Sequence, residues 1–252
     1  MQETANYIYR NALPNKPLED IIQCFWSVQN PTEKDQVYSI LPDGYFDVIF
    51  HSVNGQPYKV SLSGLWTKVM PVVVPANSFS IGISFKLLAV DYLFKQPIAS
   101  LLDKEQILPG SLWNIPLTDF DFDHFVKHAL QQINTAVNKD FDNRKQLLFA
   151  ILYSSHGKAS AESISQTIHW SNRQISRYFK DRFGISLKAY SNILRYRASF
   201  GQLKEQQLYP EEGYADQAHF IRDVKKYSGV TPKRLAENKN GRFIQLSTLR
   251  KK

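Results

Sequence analysis

The sequence is poor in several things that would otherwise widen its possible chemistry. It holds one cysteine, Cys24, in 252 residues, which excludes an internal disulfide and any zinc site built from several thiolates. Beside Phe25 and Trp26, that cysteine reads as a small buried hydrophobe. No apolar run approaches the roughly 18–20 residues of a membrane span. The opening residues, Met1 to Asp20, show no basic segment leading into an apolar core. The expectation is a soluble, cytoplasmic chain without a secretory leader and without membrane contact. Histidines number six. His124 and His128 are four apart, a spacing that can hold a metal on one helix face, but no third ligand stands near, so a solvated face is expected and no metal. His51, His156 and His169 are isolated. No nucleophile–base pair is apparent, and the expectation is a protein that is not an enzyme and carries no cofactor.

What is present is 43% hydrophobic and 13% aromatic residues, enough for two cores and too much for disorder. The net charge of +8 is unevenly placed. Residues 1–139 carry 10 basic and 13 acidic side chains, a net −3; residues 140–252 carry 21 and 10, a net +11. A basic half beside a mildly acidic half points to one domain that faces nucleic acid and one that does not.

Periodicity divides the chain at the same place. Residues 24–28, 37–41, 45–50, 58–62, 69–74 and 79–85 are short, rich in β-branched and aromatic residues, and separated by turn signals such as Pro42-Asp43-Gly44 and Asn54-Gly55. They predict a small barrel or sandwich. Short helices are expected at Leu87–Phe94 and Ile98–Leu102. A longer one carries Phe122, Phe125, Val126, Ala129, Leu130 and Ile133 on one stripe. From about Asp142 the period is helical. Leu147, Leu148, Ile151 and Leu152 share a face, and helices follow over 160–168, 171–183, 186 to about 206, 216–228 and from Thr231-Pro232. Ser171, Ser186, Asp216 and Thr231 are good N-caps, and Gly184 and Gly229 stand where helices stop. The fold class expected is thus α+β in two domains. Residues 1–140 are β-rich, a sensor or dimerisation domain; 141–237 are all-α, two helix-turn-helix units joined by a linker helix; 238–252 form a basic tail, fraying at its end.

Two segments of the helical half are alike. Residues 171–186 and 216–231 both run from cap through helix, aromatic-plus-basic stretch, Gly and Ile/Val to a Ser/Thr that opens the next helix. In the first, Ile175 and Phe179 face inward while Arg173, Ser176, Arg177 and Lys180 face out. In the second, Phe220, Val224 and Tyr227 face inward, opposite Gln217, Ala218, Arg222 and Lys225. An isolated face of this kind is commonly just solvated. Its duplication favours major-groove helices, because Arg, Gln and Ser reach base edges while Lys holds phosphates. A twenty-residue helix between the two spans about 30 Å, close to the ~34 Å between successive major-groove faces.

The same residues carry a family resemblance. Ser-Asn-Arg-Gln-Ile-Ser-Arg-Tyr-Phe-Lys-Asp-Arg-Phe-Gly-Ile-Ser (171–186), followed by Gly-Tyr-Ala-Asp-Gln-Ala-His-Phe-Ile-Arg-Asp-Val-Lys-Lys-Tyr-Ser-Gly-Val-Thr-Pro (213–232), resembles the DNA-binding domain of the AraC/XylS family of bacterial transcription regulators, over about residues 145–237. The resemblance implies two helix-turn-helix units on double-stranded DNA. It places base contacts at Arg173, Ser176 and Arg177, and at Gln217, Ala218 and Arg222. Asn172, Lys180, His219, Lys225 and Lys226 become flanking or phosphate contacts. Two departures stand out. Leu187 replaces a proline that usually follows the serine, and the stretch from Ala198 to Gly213 is about four residues short. Pro210 and Gly213 there oppose the helix that normally braces the second unit. The first unit is therefore expected to dominate sequence reading and the second to add mainly affinity.

Leu-Pro-Asp-Gly-Tyr-Phe-Asp-Val-Ile-Phe (41–50) and Gly-Ile-Ser-Phe-Lys (82–86) resemble the β-rich domain of some AraC-type regulators. Asp43, Asp47, Tyr45, Trp26, Trp66 and Trp113 are candidate pocket residues, with turn chemistry and core packing as their plainer roles. Three readings stay open: a regulator controlled by a small-molecule effector; a regulator whose N-terminal domain binds only protein, itself included as a homodimer; and, without support from any motif, an enzyme with accessory DNA binding. An activator would also meet RNA polymerase.

Overall fold

The computed structural model describes residues 7–110, 112–114, 121–210 and 213–249. Glu211 and Glu212 of the shortened stretch, and residues 250–252 of the expected tail, lie outside the described residues. Strands β1 (Ile8–Ala12), β2 (Ile22–Asn30), β3 (Gln36–Ile40), β4 (Phe46–Val53), β5 (Gln56–Ser63), β6 (Met70–Val74), β7 (Ser78–Phe85) and β8 (Glu105–Leu108) make two antiparallel sheets. Six strands run in the order β1-β2-β7-β4-β5-β8, and β3 pairs with β6. Because β1 and β8 lie at opposite edges, the larger sheet is open rather than a closed barrel. All six expected strands form. The two that patterning missed, β1 and β8, are edge strands with no continuous β-branched run, recruited by backbone pairing to β2 and β5. The short helices expected after β7 are reduced to a π turn at Val90–Phe94 and a 3₁₀ turn at Ala99–Leu101.

The pleat sorts the large sheet into an apolar and a polar face. Phe25, Phe46, Val48, Phe50, Leu62 and Ile83 are buried on one side. Helix α1 (Phe122–Ala136) covers it, with the Phe125 ring 6.4 Å from Phe25 and 5.5 Å from Phe50. The other side carries Asp47, His51, Ser61, Ser80 and Ser84. A Cβ on Gly82 would meet the Trp26 ring at 2.5 Å, so glycine there lets the indole lie across the strand and donate from Nε1 to Asp47 Oδ1 at 2.9 Å.

The helical half comprises α2 (Asn143–Ser154), α3 (Ala161–Ile168), α4 (Asn172–Phe183), α5 (Leu187–Ala198), α6 (Phe200–Lys204), α7 (Gln217–Ser228), α8 (Pro232–Glu237) and α9 (Ile244–Thr248). Asp142, Ser160, Ser171, Ser186, Asp216 and Thr231 each accept a backbone N–H as N-caps. The buried stripe of α2 is Leu148, Phe149 and Leu152, while Leu147 is 40% exposed. The inward face is turned from the one expected because Phe149 packs on Tyr178, Phe179 and Phe183. The single twenty-residue rod is also corrected. It breaks at Ser199, whose Oγ donates to the Tyr196 carbonyl at 2.6 Å and competes with the helical ladder. Helix α5 alone, at 12 residues, is about 18 Å long.

The segment after Glu237 is structured as far as Leu249, the last residue described. Phe243 and Leu246 are buried, and Phe243 bridges to Ser39 of β3. The Gln245 amide bonds both backbone groups of Leu41, accepting from its N–H at 2.9 Å and donating to its carbonyl at 3.0 Å. One buried apolar cluster runs through both halves of the chain. At their joint, Asp91 of the π turn receives Lys145 Nζ and Arg182 Nε, each at 2.6 Å, and the Tyr178 hydroxyl at 2.8 Å. The Asp91 side chain is 9% exposed, so removing it strands two cations in a poorly hydrated place. Asp91→Ala is expected to cost about 3 kcal/mol of stability, as breaking a buried pair does. Urea denaturation of the full chain measures this; a loss within ordinary surface values would show that the pair is hydrated.

Candidate nucleic-acid interface

The first helix-turn-helix is α3, a turn, and α4. His169 closes α3 in the left-handed region, at φ 55°, and Trp170 leads to the Ser171 cap. A histidine can hold that conformation, so the turn needs no glycine. Ser171 and Gln174 form a capping box: Ser171 Oγ accepts the Gln174 N–H at 3.3 Å, and Gln174 Oε1 accepts the Ser171 N–H at 2.8 Å. Three sides of α4 then do different work. Ile175, Phe179 and Phe183 are buried. Tyr178 and Arg182 turn toward Asp91. Asn172, Arg173, Ser176, Arg177 and Lys180 all lie exposed along the remaining side. Gly184 ends the helix at φ 75°. Leu187, where a proline was expected, is 9% exposed and joins the core, so its side chain compensates for the absent ring.

The second unit repeats the recognition helix with a different brace. Phe220, Val224 and Tyr227 of α7 are buried, and Gly229 ends the helix at φ 73°. Ala218, Arg222, Lys225 and Lys226 are exposed. Among the described residues no helix lies between Lys204 and Gln217. Glutamine amides tie that connection down instead. Gln202 Nε2 donates to the Tyr209 carbonyl at 2.9 Å, Gln206 Nε2 to Ala236 at 2.7 Å, and Gln217 Nε2 to Leu208 at 2.9 Å. Gln217 is thereby half-buried and committed to the loop, and His219 Nε2 lies 3.6 Å from buried Asp223. These three amides, like Tyr178 and Arg182, were not visible to periodicity, which sorts apolar from polar positions but does not say what a polar side chain reaches.

The candidate pocket residues of the β-rich half separate. Trp66 is buried, and Trp113 packs against Phe85 and Phe94. Trp26 holds Asp47, whose Oδ1 also accepts Ser84 Oγ at 2.7 Å. Asp43 accepts the Tyr45 N–H at 3.1 Å within the Pro42-Asp43-Gly44 turn. Gly44 sits at φ 84°, and its carbonyl accepts the buried Tyr190 hydroxyl of α5 at 3.0 Å. Asp43 and Tyr45 nevertheless line a cavity of about 190 Å³, together with residues of β1 and β2 on the sheet side and of α5, α6 and the C-terminal segment on the other. Burial, with the nearby Asp47 charge, pushes the Asp43 carboxyl up to about 7, against an opposing pull from Arg197. Burial raises Asp47 as well, and it raises the Cys24 thiol to about 12. His124 is exposed on α1 and His128 half-buried; among the described residues no three His, Cys, Asp or Glu side chains gather as a metal site would need.

Residues 164–238 match the family described as a helix-turn-helix domain. The helical half therefore carries a helix-turn-helix domain of AraC type, set behind a β-rich half. Residues 10–106 of that half match a family described as a domain of unknown function, DUF6597. No curated protein sequence matches the chain. Among solved structures, ToxT from Vibrio cholerae O395 is similar at 8% identity, over 97% of this chain and 99% of that one, with a TM-score of 0.44. Unsaturated fatty acid-bound wild-type ToxT from Vibrio cholerae strain SCE256 is similar at 11% identity, over 94% and 97%, with a TM-score of 0.41. Likenesses this distant leave the function to be argued from the residues.

The raised carboxyl of Asp43 sets a direction for the pH dependence of folding. Between its ordinary value of 3.8 and about 7, the folded chain holds a proton that the unfolded chain has lost. Stability therefore falls as pH rises through that window and levels off above it. Asp43→Asn is expected to flatten this slope relative to the unsubstituted chain in urea denaturation at about pH 5 and about pH 8. An unchanged slope would show that the carboxyl titrates as an ordinary one.

Proposed function

We propose that this chain is a sequence-specific DNA-binding transcription regulator whose helices α4 and α7 enter adjacent major grooves. The observation that supports it best is the free side of α4, where five polar or basic residues stand exposed beside a buried stripe, repeated in part on α7 behind the same cap and glycine stop. On this reading Arg173, Ser176 and Arg177 contact bases from the first unit, and Ala218 and Arg222 from the second, where the Gln217 amide is taken up by the Leu208 carbonyl. Asn172, Lys180, His219, Lys225 and Lys226 flank them or hold phosphates. Residues 141–237 are the DNA-binding domain, and residues 1–140 a sensor or dimerisation domain, through which a small molecule would control the chain. No catalytic step belongs to this reading. The protein works in the cytoplasm, a location with which the absence of any long apolar helix among the described residues agrees. RNA polymerase is a further partner if the regulator activates.

The two units are unequal. All five positions on α4 are exposed, whereas Gln217 is bonded to the Leu208 carbonyl and His219 faces Asp223. The first unit then carries most of the sequence preference and the second mainly affinity. Arg177→Ala is expected to weaken binding by about 1–3 kcal/mol and to relax preference at its base step. Arg222→Ala should weaken binding too, with a smaller loss of preference than Arg177→Ala produces. Selection from random DNA followed by titration of each variant measures both, and equal base discrimination in the two grooves would refute the asymmetry. Binding by the unsubstituted chain should also weaken steeply with salt; affinity indifferent to salt would remove the DNA-binding reading itself.

A further inference from the structure

The cavity beside Asp43 lies between the two halves, not inside either. Asp43 and Tyr45 wall it from the β-rich half, Arg197 and Phe200 from α5 and α6, and Gln245 and Leu249 from the C-terminal segment. Its two charged groups do not pair with each other, and Asp43 is held by the Tyr45 N–H and the Gln245 side chain. Asp43 and Arg197 interact through space, yet among the described residues no ion pair within 4.0 Å joins them. The Arg197 guanidinium lies over the Tyr45 ring at 4.7 Å. The second carboxylate, Asp47, stands close enough to act on Asp43 and spends Oδ1 on Trp26 and Ser84. The β-rich side thus holds two carboxyl groups short of counter-charge, and the helical wall offers one guanidinium.

Size narrows the occupant further. An apolar cavity of about 150 Å³ holds a benzene ring. The present one, at about 190 Å³, therefore has room for roughly eight non-hydrogen atoms. Such a molecule meets a carboxyl group, which a cation beside it would ionise, at one wall, a guanidinium fork at the other, and the apolar side chains of Phe200 and Leu249 as well. An ammonium group is favoured where two carboxylates lack sufficient counter-charge, and a guanidinium recognises a carboxylate by two parallel hydrogen bonds.

We propose that this cavity binds a small zwitterion of the α-amino acid class, with its ammonium toward Asp43 and its carboxylate toward Arg197. Bound there, the ligand links the turn before β4 to the end of α5. It favours the arrangement of the two halves in which that link can form, by as much as its affinities for the two arrangements differ. Phe200 and Gln245 bring α6 and the C-terminal segment into the same contact, so the position of the second helix-turn-helix is the one it biases. The effect on DNA rests on the regulator reading; the binding itself does not.

The experiment titrates the full unsubstituted chain, without DNA, with each standard L-amino acid, following the heat of binding. At least one is expected to bind with Kd below about 1 mM. For the tightest binder, its carboxamide and its deaminated acid should each bind weaker by roughly tenfold or more, as loss of a charged hydrogen bond requires. Asp43→Asn and Arg197→Gln should each weaken it similarly, and the three-ligand series on the unsubstituted chain decides the matter if either variant fails to fold. Absence of binding by all amino acids overturns the proposal, as does a deaminated acid or an amide that binds as tightly as the zwitterion. Salt-dependent DNA binding measured separately then tells failure of this site from failure of the regulator reading.

Discussion

The arrangement of this molecule turns on the carboxylate of Asp91. It belongs to the β-rich half, and the three groups that satisfy it, on Lys145, Tyr178 and Arg182, all come from the helical half. A charge so little exposed must be neutralised where it sits, and sliding one half over the other would leave it, or its two cations, without partners. Tyr178 and Arg182 stand on α4 itself. The same contact that joins the halves therefore fixes the roll of the first recognition helix, and with it the direction in which Arg173, Ser176 and Arg177 point.

The second unit is held by other means. Its recognition helix keeps a buried stripe, but the connection before it is fastened by side-chain amides rather than by a packed helix. Amide-to-carbonyl bonds satisfy the backbone of an irregular segment without adding the apolar contact area that a packed helix buries. The C-terminal segment supplies what is missing. Gln245 grips Leu41, Phe243 and Leu246 are buried, and Lys204 of α6 donates to the Leu249 carbonyl. One unit is docked by a buried carboxylate with two cations, the other by a strap that returns to the β-rich half. The cavity lies where linker and strap meet the sheet, and this is the place from which a small ligand can act on the spacing between the two units.

Much of this was legible in the residues before any coordinates. The period of two in the first half and 3.6 in the second, the caps at Ser171, Ser186, Asp216 and Thr231, and the stops at Gly184 and Gly229 determined the helix-turn-helix pair and its outward basic face. Each of those signals is local: it depends on how a residue suits its own backbone or on which side of an element it stands. The edge strands β1 and β8, the break at Ser199, the role of His169 in the turn and the docking of the last residues were not legible. The edge strands and the docked C-terminal segment are decided by partners distant in sequence, while Ser199 and His169 act locally, through a side-chain hydrogen bond and a left-handed backbone that periodicity does not read. A distant partner also bears on Asp43, which reads as a turn residue and is one, but is also a charge set against Arg197, about 150 positions later on the same cavity. By itself the sequence determined what each segment is and which side of it faces out. Only the tertiary structure decided which buried charge meets which, because the cost of an unpaired charge depends on what closes over it.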